Sequence, residues 1–241
     1  MSKPSKLEFL NGILAIAIIV SLAGCGGNAV VSDSRSNAEL LKEATSNMKS
    51  IKSYRMEVFT IDDNEEYKGS IDMDVANDRF RFSHSGPEGD SLIIQINNDV
   101  FMSGSDIKPY FNKATSAQAA RSLHDERWTY LTAEDIDKAK SKLQDGSPAV
   151  EKIDGIDAKH IVVGIKDLQA LSLVGSRRIT LTNGTVDAWI SMSVEPILLK
   201  MIVKAIDGDI AIEDRLTWSH FNESLDIQAP SSELIQTPIV P

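Results

Sequence analysis

Cysteine occurs once in 241 residues, so no intramolecular disulfide can form and stability must come from a buried core. Histidine is nearly as scarce. His84, His124, His160 and His220 show none of the one-turn spacings of a metal site and read as solvent-exposed or capping side chains, so neither metal nor other cofactor is expected. The chain lacks a Gly-x-Ser-x-Gly elbow, a phosphate loop and any cysteine nucleophile other than Cys25, which argues against an enzyme. Positive charge is outweighed: 25 basic against 35 acidic side chains give a net charge of −10. That balance excludes nucleic acid as a partner and electrostatic adhesion to anionic headgroups, both of which need clustered Lys and Arg. The apolar run over residues 13–23 is well short of the roughly 20 residues that cross a bilayer. The acidic residues at 62–66 are followed by Tyr67 where a calcium loop requires glycine, so they read as a solvated hairpin turn.

What is present begins at the N-terminus. Lys3 and Lys6 precede the apolar run, and the small residues Ala23 and Gly24 follow it, the pattern of a secretory signal over residues 1–24. The tetrapeptide Leu22-Ala23-Gly24-Cys25 resembles the lipobox of bacterial lipoproteins. That resemblance implies cleavage between Gly24 and Cys25, acylation of Cys25, and a protein held by lipid at the extracytoplasmic face of the cell membrane. One acyl chain holds only marginally, whereas two or three hold durably. Loss of residues 1–24 removes Lys3, Lys6 and Glu8, leaving 23 basic and 34 acidic side chains, a net charge of −11. Residues 25–36 are small and polar and read as a flexible tether.

Ser36-Asn37-Ala38-Glu39 is a capping-box pattern, and Leu40, Leu41, Ala44, Met48 and Ile51 then mark one stripe of an amphipathic helix. From Tyr54 the period drops to two: Tyr54, Met56 and Val58, then Ile71, Met73 and Val75, then Phe80 and Phe82, then Leu92, Ile94 and Ile96, then Val100 and Met102. A short helix or loop is expected over 114–123, an extended stretch over 128–131, and a second helix over 132–144 with Ile136, Ala139 and Leu143 on its stripe. Strands resume around the turn signals Asp154-Gly155, Asn183-Gly184 and Asp207-Gly208, with a short helix over 167–174 between them. The pattern predicts an α+β protein: a curled antiparallel sheet of about ten or eleven strands, helices on its concave face, and a domain over 37–230 followed by a tail over 231–241.

Two helices shield only part of so long an apolar face, so the sheet closes on itself, pairs with a second sheet, or curls round a space. A filled core and an apolar cavity both satisfy the pattern. Candidate cavity residues are Val58, Ile71, Met73, Phe80, Phe82, Ile94, Met102, Ile190, Leu199, Met201 and Leu216. Trp189 and Trp218 fall on strands and Trp128 precedes the second helix; all three are expected to pack in the core.

The stretches 48–55, 153–156, 186–190, 216–223 and 226–230, in that order and behind the lipobox, resemble the LppX/LprG lipoproteins, a branch of the LolA/LolB-like superfamily. The chain departs from that pattern at Ser191-Met192-Ser193-Val194-Glu195, where relatives place an acidic residue and a glycine. The resemblance implies a half-barrel round a hydrophobic cavity that takes the acyl chains of lipids or glycolipids, palmitate among them, and carries them across the cell envelope. Other lipoproteins or a transporter are the implied protein partners. Two alternatives remain at this level, a LolB-like acceptor of lipoproteins and a non-enzymatic interaction or sensing module with a filled core.

Overall fold

Ser36 opens the first helix as the capping box requires. Its hydroxyl accepts from the Glu39 N–H at 3.3 Å, and the Glu39 carboxylate accepts from the Ser36 N–H at 2.8 Å. The Ser36 hydroxyl, which also donates to this carboxylate at 2.7 Å, and the Ser36 N–H hold the Glu39 carboxyl below its usual range. Helix α1 (Asn37–Ser50) buries Ala38, Leu40, Leu41, Ala44, Thr45 and Met48 along one side, the i, i+3, i+4 stripe read from the sequence. The computed structural model describes residues 34–62, 64–104, 111–114, 133–147, 149–164, 183–207 and 210–236. These belong to a unit spanning Ser34–Pro241. The signal, Cys25, the stretch 115–132 with Trp128 and His124, and the short helix expected over 167–174 lie outside the described residues.

The strands are β1 (Ser53–Asp62), β2 (Glu65–Asp74), β3 (Arg79–Gly86), β4 (Gly89–Ile96), β5 (Asp99–Ser103), β6 (Asn112–Ala114), β7 (Gln144–Asp145), β8 (Glu151–Ile153), β9 (Ile156–Gly164), β10 (Asn183–Ser191), β11 (Leu198–Asp207) and β12 (Ile210–Ser219). Together they make one antiparallel sheet, open rather than closed, in the order β6-β5-β4-β3-β2-β1-β12-β11-β10-β9-β7, with β8 also on β9. The short polar turns behave as read: Asn64 (φ 67°), Asn97 (φ 53°), Asp154 (φ 49°) and Gly155 (φ 82°) take the positive φ that tight hairpins need. The last strand returns to the first, with Arg55 opposite Ser219 and Asp62 opposite Ile212. This pairing joins two meanders into a single sheet.

Three expectations change. Asn183 and Gly184 are strand residues opposite Ile206 and Ala205, not a turn, because β10 keeps pairing with β11 up to that point. The second helix is shorter: α2 (Ala133–Ala139) passes into a 3-10 turn over Lys140–Lys142, and Leu143 turns extended so that Gln144–Asp145 can pair with β9. Ile136, Ala139 and Leu143 are nevertheless buried with the α1 stripe, and Lys42 bonds Asp137 across the two helices at 2.5 Å. Finally, order does not end at residue 230. A 3-10 turn over Ser232–Leu234 leads Ile235 into a parallel bridge with Phe111, with Phe111 N–H donating to Leu234 at 2.7 Å and Gln236 N–H donating back at 2.9 Å.

The sheet has two unlike faces. On the outer face, away from the helices, Arg55 grips buried Asp72 with Nε at 2.6 Å and Nη2 at 3.0 Å, and Arg81 bonds the same carboxylate. Burial pushes Asp72 upward, yet the two guanidinium groups outweigh it and hold the carboxyl below its ordinary range. Beside this row the segment after β12 straps the outer face. The Asn222 side chain accepts from Lys52 N–H at 2.8 Å, Ser53 Oγ donates to the Glu223 carbonyl at 2.6 Å, and Ile227 closes a cluster with Ile94, Phe101 and Phe111. On the helix face lies the main core.

Candidate functional site

Register defines the helix face row by row. Met56, Ile71, Phe82, Ile93 and Met102 form one row across β1 to β5. The row beside it runs from Tyr54 through Met73, Phe80 and Gln95 to Val100. A third row carries Val58, Gly69, His84 and Ser91, and Val58 faces Leu216 on the other side. The helices do not cover these rows evenly. Tyr54, Met56, Met73, Ile190, Met201 and Leu216 are buried with α1 and α2, whereas Val58, Ile71 and Phe80 only flank that core. Further out Phe82 and Ile93 are half-buried, and Met102 is 44% exposed. The result is a graded apolar surface, packed under the helices and opening across β3, β4 and β5 along the row that ends at Met102, while Gln95 and Val100 of the adjacent row stay buried.

Nine of the eleven candidate residues share this face: Val58, Ile71, Met73, Phe80, Phe82, Met102, Ile190, Met201 and Leu216. Four of these, Met73, Ile190, Met201 and Leu216, are packed core rather than free wall. Two candidates belong to the other side. Ile94 pairs with Arg81 and Phe101 and lies in the outer cluster under Ile227, so Ile93 takes the place on the helix face. Leu199 is the extra residue of a bulge where Trp189 pairs with Lys200 and Ile190 with Leu198; it packs outward with Ala158 and Trp189.

Polar chemistry also falls differently from expectation. His160 is neither exposed nor a cap: its ring stacks on Trp189 at 4.0 Å between centroids, and its Nε2 lies 2.8 Å from Asp187. Trp189 Nε1 donates to Glu151 at 2.7 Å while Lys200 lies 4.6 Å over the indole, so this tryptophan serves the outer face; Trp218 is buried in the helix-side core. His220 pairs with Glu223 at 2.7 Å and His84 stacks near Tyr67 at 5.7 Å. An open groove of about 490 Å³ crosses the outer face along Glu57, Lys68, Ser70, Ser83, Leu92 and Ser103. Ser70, Ser83 and Ser103 line it, and it lies on the opposite face of the sheet from Val58, Ile71, Met73, Phe80 and Phe82.

One residue of the helix face was missed. Asp214 alternates with Ile212 and Leu216, pairs with Thr60 and Val203, and is only 8% exposed. Thr60 Oγ1 donates to its Oδ1 at 2.5 Å. Burial pushes the Asp214 carboxyl above its usual range, the Thr60 hydroxyl opposes this, and the negative charge of Asp62 adds to it. The signal was legible: a single carboxylate in an apolar period-two row. Because the native state binds this proton more tightly than the unfolded chain, the penalty is absent at acid pH, grows as pH rises through the interval between the two pKa values, and is complete above it. Asp214→Asn, which keeps an acceptor for Thr60, is therefore expected to raise Tm at pH 7 and to lose that advantage as pH falls through the carboxylate range, as checked by thermal melts across pH.

No family model matches the chain, and no curated protein matches it in sequence. Solved structures do match. The lipoprotein LppX of Mycobacterium tuberculosis aligns with a TM-score of 0.50 at 14% identity, covering 79% of this chain and 97% of that one. LprF of Mycobacterium bovis aligns with a TM-score of 0.48 at 11% identity, covering 80% and 96%. Among the described residues no helix is long and apolar enough to cross a membrane. The chain thus has an LppX-like fold, an open antiparallel sheet with helices laid on one face.

Proposed function

We propose that this chain is a lipid-anchored envelope protein that binds lipid acyl chains along the open part of its helix face and carries them between membrane surfaces. The observation that carries this reading is the row Ile71, Phe82, Ile93 and Met102, apolar on four adjacent strands yet left half-buried to exposed. An apolar surface of this kind on a water-soluble domain is a binding surface or a liability. The LppX-like fold and the lipobox at Cys25 support the same assignment, with Cys25 as the tether and the domain acting as a carrier, not a catalyst. A C16 chain in water costs about 0.8 kcal/mol per CH₂, so a protein surface that shields it removes most of the barrier to leaving a bilayer.

The chain from residue 26 onward, purified without detergent, is expected to retain phospholipid or glycolipid through purification, read by mass spectrometry of its organic extract. A lipid-free protein that also ignores an added fluorescent fatty acid would overturn the proposal.

A further inference from the structure

The connection between β10 and β11 presents an apolar side chain on a fixed support. Val194 is 88% exposed, more than any other large hydrophobic residue among the described residues. Across the base of its loop, Ser191 N–H donates to the Ile197 carbonyl at 2.9 Å and Ile197 N–H donates to Ser191 Oγ at 2.9 Å. Met192 N–H donates to the Asp157 carbonyl on β9 at 2.8 Å. Asn47 of α1 donates to the Pro196 carbonyl at 2.9 Å, and Arg35 Nη2 donates to the Ser193 carbonyl at 3.0 Å. Ser193 Oγ closes the tip onto the Glu195 carbonyl at 2.6 Å. Tied in this way to β9, to α1 and to the chain ahead of α1, the loop keeps its valine turned out to water. It is also the stretch, Ser191 to Glu195, at which the sequence departs from the LppX/LprG pattern.

A lone exposed valine needs no explanation; this one differs in its support and in what lies beside it. Ile156, 40% exposed, opens β9 next to Asp157, which holds Met192. The chain also enters the domain here: Arg35, whose guanidinium bonds Ser193, follows Ser34, and residues 26–33 alone separate Ser34 from Cys25. Fully extended, that stretch spans at most about 30 Å. An acyl group on Cys25 therefore keeps the loop within reach of the bilayer. We propose that the β10–β11 loop is a membrane-contact element, with Val194 entering the headgroup boundary of the bilayer that holds Cys25 and Ile156 beside it. This rests on the lipid-anchor reading and adds a second point of contact to the tether, so that the domain meets the membrane in one orientation. Ser193 and Glu195 are exposed on either side of Val194, so the contact is interfacial and shallow. With a net charge of −10, apolar burial and not electrostatic adhesion supplies the affinity, and zwitterionic lipid suffices.

The test couples one C16 alkyl chain to Cys25, the only cysteine, in the chain from residue 25, and measures partition into phosphatidylcholine vesicles by flotation. One such chain holds only marginally, so a second contact is measurable. Val194→Asp is expected to weaken partition about fivefold to tenfold, the worth of burying a valine side chain, and Val194→Trp to strengthen it severalfold. Ile206→Asp is the matched control: Ile206 is 47% exposed at the far end of β11, about 25 Å along the strand from Leu198, and its variant should partition like the wild type. Thermal melts check that the variants are folded. Equal partition of the wild type and Val194→Asp, which leaves Val194 for a protein partner, overturns the proposal, as do equal losses from Val194→Asp and Ile206→Asp. The coupled alkyl chain supplies the anchor, so fatty-acid retention is scored separately. Its absence with the loop effect intact overturns the carrier reading alone, and absence of both overturns both.

Discussion

Phe82→Glu is expected to weaken binding of a C16 fatty-acid probe by about tenfold to a hundredfold. Phe82 stands between Ile71 and Ile93 at the middle of the open apolar row. Burying a phenyl group is worth about 1.5–3 kcal/mol, which corresponds to that range of affinity. A carboxylate in the same place must also be stripped of water for the alkyl chain to pass. The fold should tolerate the change, because Phe82 is only half-buried and lies outside the helix-covered cluster. Leu92→Glu is the matched control: Leu92 pairs with Ser83 on the outer face and should leave probe affinity unchanged. Fluorescence titration of both variants, alongside their thermal melts, separates loss of binding from loss of fold. Equal affinities in the wild type and Phe82→Glu would remove the open row from the site.

Leu40→Ala is expected to cost about 2–5 kcal/mol in stability, the range for deleting a fully buried leucine side chain. Leu40 is completely buried at the start of α1, within the cluster that joins the helix to Met56, Met201 and Leu216. In a domain of this length each kcal/mol moves Tm by about 2–4 °C, so a large fall in Tm is expected by calorimetry. A change within 2 °C would mean that α1 is not docked as described. Because α1 packs against β10 and β11 while the open row lies on β2 to β5, the residual folded protein should still bind the probe.

The elements that repeat a simple period were legible. Ser36 and Glu39 announced the helix start, and Asn64, Asn97 and Asp154-Gly155 announced turns whose positive φ the structure displays. Side-chain facing was legible only where one face is polar. In β3 the arginines alternate with Phe80 and Phe82 and fix the parity; in β4 the run Leu92-Ile93-Ile94 is apolar on both sides, since the strap bearing Ile227 covers the outer face. That strap acts through contacts distant in sequence, which no local pattern reveals. Leu199 was misplaced because a bulge shifts parity by one residue, and bulges leave little mark in sequence. Asn183-Gly184 carries a strong turn signal, yet pairing with Ala205 and Ile206 overrides it. Asp214 is not singled out by the sequence motifs, although its regular place between Ile212 and Leu216 fixes its direction.

A photoactivatable C16 fatty acid crosslinked to the chain from residue 26, with the adducts located by peptide mass spectrometry, tests the central claim most directly. The account predicts adducts on Ile71, Phe82, Ile93 and Met102, competed away by unlabelled fatty acid. Competed adducts confined to the outer groove, at Ser70, Ser83 and Ser103, or labelling that no competitor reduces, would contradict it.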